Sequence, residues 1–115
     1  MQYMLLIYED EQIYGPDKNG PAMREVVGKH MNFIADLGVV RVGGAGLKST
    51  TTATTVRTIQ GAQTIHDGPF AETKEQLGGY YLIDVPNLDE AIAVAKKLPV
   101  FKDGAVEIRP LLNGN

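Results

Sequence analysis

The chain has 115 residues, the length of one domain, so residues 1–115 carry no internal boundary. With 43% apolar and 22% charged residues it can bury a core and is not of disordered composition. The net charge of −3 gives no electrostatic reason to expect nucleic acid or an anionic membrane as partner, and the absence of cysteine excludes disulfides and thiolate chemistry. The first predicted element is Tyr3–Tyr8, a short apolar run of strand formers that ends in Glu9-Asp10-Glu11. That run is too short to span a bilayer. The N-terminus also lacks the basic start and small-residue cleavage site of a signal peptide, so a soluble cytoplasmic protein is expected.

Gly15-Pro16 and Gly20-Pro21 mark a loop that leads into a helix. From Met23 to Leu37, Met23, Val26, Val27, Met31, Phe33, Ile34 and Leu37 crowd one side of the wheel, with Glu25, Lys29, Asn32 and Asp36 opposite. Gly38 stands where a C-cap glycine belongs. Val39–Leu47 starts as a strand and passes through Gly43, Gly44 and Gly46, a density that suggests a bulge or a close backbone approach. The Ser/Thr stretch of residues 49–55 runs on into β-branched residues. Gly61 then reads as the turn of a hairpin between residues 54–60 and 62–66. Glu72, Lys74 and Glu75 are read as a solvated, partly helical turn. Residues 79–85 form a second strongly apolar strand. Asn87, with Glu90 three residues on, opens a helix in a capping-box arrangement whose buried stripe is Ala91, Ile92, Ala95 and Leu98. Pro99 stops it, and residues 105–111 read as the last strand.

The order strand, helix, strand, hairpin, strand, helix, strand points to an α+β, ferredoxin-like sandwich with an inserted β-hairpin. In the strands Tyr3–Tyr8 and Tyr80–Val85 both alternating sets are apolar: Tyr3, Leu5 and Ile7 against Met4, Leu6 and Tyr8, and Tyr81, Ile83 and Val85 against Tyr80 and Leu82. Such strands need both faces covered, and two helices cover only one. A second copy of the chain, sheet to sheet, is the economical cover, so a homodimer is expected.

His30 lies close to the centre of the apolar stripe of the first helix and therefore faces the sheet. It is either a core histidine satisfied by a carbonyl or hydroxyl, or a general acid/base or ligand contact at the floor of a cleft. Asp67, in Asp67-Gly68-Pro69, is turn chemistry by local sequence, an aspartate that bonds nearby amides. Together the two residues would make a proton-transfer pair, in which the carboxylate sets the imidazole tautomer and stabilises its charged form. His66 with Asp67 and His30 could supply three metal ligands. No recognised ligand spacing is present, however, and neighbouring strand residues point to opposite faces, so no metal is expected. Gly43-Gly44-Ala45-Gly46 lacks the spacing of a phosphate loop. Gly43, Gly44 and Gly46, where backbone can approach a substrate, and Phe70 are the candidate ligand contacts.

The run DGPFAETKEQLGGYYLIDV, residues 67–85, resembles the signature of the DGPF branch of the YCII-related proteins. The likeness extends to the opening MQYMLLIYED, to His30 in the first helix and to the glycine-rich Gly43-Gly44-Ala45-Gly46-Leu47. It continues through Thr54-Thr55-Val56-Arg57 and the closing Val106-Glu107-Ile108-Arg109-Pro110, and so spans essentially the whole chain. The resemblance implies a dimeric α+β barrel of ferredoxin-like subunits, similar in fold to muconolactone isomerase-type enzymes. It also implies a His–Asp active-site pair, in which His30 is carried over and Asp67 competes with Asp10 as its partner. Members of the branch are associated by inference with extracytoplasmic-function sigma factors. Three functions stay open: a cofactor-independent enzyme acting on a small organic molecule, a ligand-binding or regulatory module linked to a sigma factor, and a structural dimer with His30 as core filling.

Overall fold

The computed structural model describes residues 1–100 and 103–113. Its main elements are β1 (Gln2–Glu9), α1 (Pro21–Leu37), β2 (Arg41–Gly46), β3 (Thr54–Ile59), β4 (Ala62–Asp67), β5 (Gln76–Asp84), α2 (Leu88–Lys97) and β6 (Ala105–Pro110). Four strands form one sheet in the order β2-β5-β1-β6, with every neighbouring pair antiparallel. That order, with one helix on each β–β crossover, is the ferredoxin-like α+β arrangement. The β3–β4 hairpin forms a two-stranded sheet of its own. It turns at Gln60-Gly61, both at positive φ (49° and 83°), as a tight two-residue hairpin loop requires.

Local chemistry sets the helix ends. Pro21 occupies the first turn of α1, where a missing N–H costs nothing. Gly38 closes the helix at φ 54°, and its N–H bonds to Ile34 O. A short 3-10 turn over Gly38–Val40 then delays the second strand to Arg41. Asn87 Oδ1 accepts from Glu90 N at 3.0 Å at the start of α2. Acidic Asp89 and Glu90 in the first turn and Lys96 and Lys97 in the last both suit the helix dipole.

Residues 71–75 are irregular, with bends at Ala71, Lys74 and Glu75, and do not form the partly helical turn expected from Glu72, Lys74 and Glu75. Thr73 Oγ1 donates to Glu75 O and Gln76 Nε2 donates to Thr73 O, local bonds that satisfy carbonyls a helix would otherwise use.

Both helices contribute to a core on one face of the sheet, built from Tyr3, Leu5, Ile7, Phe33, Tyr81, Ile83, Val85, Ala91 and Leu98. Leu5 and Ile83 are fully buried, each contributing about 2 kcal/mol of apolar burial. The period of two also carries Glu9 to this face, in series with Tyr3, Leu5 and Ile7, although it opens a charged run. The opposite face carries the cross-strand pairs Met4–Leu82 and Leu6–Tyr80, all half-buried. Among the described residues, no helix is long and apolar enough to cross a membrane.

Candidate functional site

Side chains of α1, of the ends of β1 and β5, and of β2 enclose a cavity of about 400 Å³. Its polar residues are Glu9, Tyr14, Lys18, His30, Arg41, Lys48 and Tyr81. His30, in the middle of α1, reaches the sheet as its place in the apolar stripe requires. Its Nδ1 lies 2.7 Å from Tyr81 Oη. The two rings are nearly parallel, 18° apart with centroids at 5.8 Å, and Phe33 meets the Tyr81 ring edge-on at 5.1 Å. This stacking holds both hydrogen-bonding groups in one geometry. Burial lowers the pKa of His30 and favours the neutral ring, against the opposing influence of Glu9 and of the Pro99 carbonyl.

Glu9 is 8% exposed and accepts from Tyr14 Oη at 2.6 Å. Burial, the bond to Glu9 and its negative charge all raise the pKa of the Tyr14 phenol, which therefore stays a donor. Burial also raises the pKa of Tyr81, with Arg41 opposing it. The Arg41 guanidinium lies 6.0 Å from the centre of the Tyr81 ring, and its Nη2 donates to Gly44 O at 3.2 Å. Lys18 Nζ donates to Leu47 O at 3.0 Å. One wall of the cavity depends on glycine. A Cβ on Gly44 would come within 2.8 Å of Tyr80 O, and one on Gly79 within 2.9 Å of Ala45 O, so β2 and β5 approach this closely only without side chains there.

The residues singled out in the sequence fall in different places. Gly44 and Gly46 line the His30 cavity, and Gly43 is not among its lining residues. Asp67 ends β4 and is exposed. With Gly68 and Pro69 it borders a separate, polar groove with Glu11, Thr50 and Thr73. The turn after it is tied down by Gly68 N to Ala53 O at 2.8 Å and Thr55 Oγ1 to Gly68 O at 2.7 Å. Asp10 accepts from Gln12 N at 3.1 Å and caps the 3-10 turn Glu11–Tyr14. Phe70 is 73% exposed, with the Arg57 guanidinium 5.0 Å from its ring centre. His66 is exposed on β4. The structure thus brings His30 together with Tyr81 and Glu9, and sets Asp67, Asp10 and Phe70 elsewhere. Glu9, Arg41 and Tyr81 went unmarked as site residues, although their alternation in β1 and β5 gave the signal for two of them: Glu9 follows Tyr3, Leu5 and Ile7, and Tyr81 precedes Ile83 and Val85.

Fold and site together define a small ferredoxin-like α+β protein with a polar-floored cavity between its first helix and its sheet. The chain belongs to the YCII-related family, whose domain it matches over residues 1–114. It is also similar to an uncharacterised protein of Rhizobium meliloti (strain 1021). The two are 39% identical over 118 residues, which cover 96% of this chain and 92% of the relative.

Proposed function

We propose that this YCII-related protein is a cofactor-independent enzyme that moves a proton on a small organic molecule, with His30 as the general acid/base. The observation that carries this reading is the His30–Tyr81 bond at 2.7 Å inside the cavity. Burial keeps the imidazole neutral and thus able to accept a proton. While the ring is neutral with its hydrogen on Nδ1, Nδ1–H donates to Tyr81 Oη and the Nε2 lone pair is free to take a proton from the substrate. In the imidazolium that results, Nδ1–H still donates to the same oxygen. The bond survives in both protonation states, so the ring keeps its orientation through the transfer. Glu9 favours the imidazolium that forms, the service first expected of an aspartate.

The half-buried Met4, Leu6, Tyr80 and Leu82 support packing against a second copy, and hence the dimeric barrel as the working form. The Asp67-Gly68-Pro69-Phe70 run supports assignment to the DGPF branch. Its anchored turn gives it a structural task.

Proton transfer to and from carbon is read by incorporation of deuterium from solvent. A set of enolisable ketones, lactones and 2-oxo acids in heavy water, followed by proton NMR, is expected to contain compounds that exchange only with the protein present. His30→Gln is expected to slow that exchange by about 10²- to 10⁴-fold, the usual contribution of a positioned acid/base. Equal exchange by the folded variant removes His30 from the chemistry. A cavity that binds compounds without exchanging any of them would be a ligand-holding module instead.

A further inference from the structure

Although the chain carries a net charge of −3, the cavity is cationic. Among the described residues, three basic side chains, Lys18, Arg41 and Lys48, line it against one carboxylate, Glu9, which already accepts the hydroxyl of Tyr14 at 2.6 Å. Among the described residues Arg41 makes no ion pair. Its Nη2 is taken by Gly44 O, and its Nε is buried with no hydrogen-bond partner. A buried guanidinium donor left unpaired is destabilising, so the site is arranged at some expense to hold a cation here. Lys18 spends one hydrogen on Leu47 O. Burial lowers its pKa, with the charges of Glu11 and Glu9 opposing, as expected of an ammonium held partly out of water. The wall on α1 is of the other kind. Val27 and Met31 are 48% and 63% exposed and line the cavity beside Val26 and Ile34.

We infer that the cavity takes a small organic carboxylate, with the anionic end at Arg41 and Lys18 and the apolar body along Val26, Val27 and Met31. The planar guanidinium suits a carboxylate, and the single Arg with Glu9 in the same cavity disfavours a dianionic phosphate ester. The inference rests on the proton-transfer reading for the reactivity of the body. The requirement for an anion stands on the charges alone.

The test uses a matched pair of probes, trans-cinnamate and the neutral isostere trans-cinnamamide, titrated into isotopically labelled full-length protein by NMR. Cinnamate is expected to bind about tenfold more tightly, the effect of one charge-assisted hydrogen bond. The shifted resonances are expected in α1 and β2. High salt and Lys18→Met are each expected to reduce the preference, and Arg41→Met to bring it close to unity. If Arg41→Met does not fold, the wild-type ratio and its salt dependence decide the matter alone. Equal affinities, or no binding of either probe, overturn the inference. Phenyl phosphate binding more tightly than cinnamate overturns the choice of a carboxylate. None of these titrations involves proton transfer. A missing anion preference with intact His30-dependent exchange on neutral carbonyl compounds sinks only the substrate class. An anion preference with unchanged exchange in His30→Gln sinks only the acid/base reading.

Discussion

Replacing Tyr81 by Phe removes one oxygen and leaves the ring that stacks on His30 and meets Phe33. The change is therefore confined to the 2.7 Å bond to His30 Nδ1. A net hydrogen bond contributes about 0.5–1.5 kcal/mol, and an imidazole nitrogen left unpaired in a half-buried site adds a desolvation penalty, so the loss is expected to be about 1–2 kcal/mol. Chemical denaturation reads it as a lower midpoint with an unchanged slope, because the surface exposed on unfolding is the same. A double-mutant cycle with His30→Gln isolates the pair, and a coupling of about 1 kcal/mol is expected. Coupling indistinguishable from zero, or Tyr81→Phe as stable as the wild type, would refute the claim that this bond orders the site. The chain has two histidines, so NMR can follow the His30 ring in the same samples, with exposed His66 as internal reference.

Further outcomes follow from the same structure. Because burial lowers the folded pKa of His30, the unfolded chain binds the proton more readily. The stability linked to this group is therefore full above the ordinary histidine value of about 6.5 and is lost as pH falls through that value to the folded one; in His30→Gln this limb of a stability-versus-pH curve should flatten. Gly79→Ala puts a methyl 2.9 Å from Ala45 O, so β2 must move off β5 at a cost of about 1–3 kcal/mol; Gly28→Ala, in open space inside α1, should stabilise by about 0.5–1 kcal/mol in the same denaturation assay. Light scattering at micromolar concentration is expected to give the mass of a dimer; a monomer would leave Met4, Leu6, Tyr80 and Leu82 exposed and remove the barrel from the proposal.

Much of the fold was legible because short-range chemistry decides it. Gly38, Asn87, Gly61 and Pro99 each punctuate an element for reasons that act within one turn. The alternation in β1 and β5 correctly gave strands apolar on both sides. Legibility failed where a side chain's role depends on which distant element faces it. Asp67 beside a glycine and a proline invites attention, yet among the described residues β4 pairs with β3 alone, and the hairpin carries it to a separate groove. Glu9 opens the charged run Glu9-Asp10-Glu11 at the end of the predicted strand, and only the continued strand turns it inward to Tyr14. Arg41 gains its meaning from β2 pairing with β5, which sets its guanidinium over Tyr81, a contact 40 residues away in sequence. His30 was legible because a polar residue in an apolar stripe must face the sheet, although its partner there was not.

The central claim is that the working centre lies in the His30–Tyr81 cavity and not at the Asp67 turn. Its most direct test compares His30→Gln and Asp67→Asn for exchange of the same carbon-bound proton, under matched conditions and with folding checked for both. The expected result is a loss of about 10²-fold or more in His30→Gln, with Asp67→Asn close to the wild type. Comparable losses in the two variants would contradict the account and restore the aspartate as partner of His30.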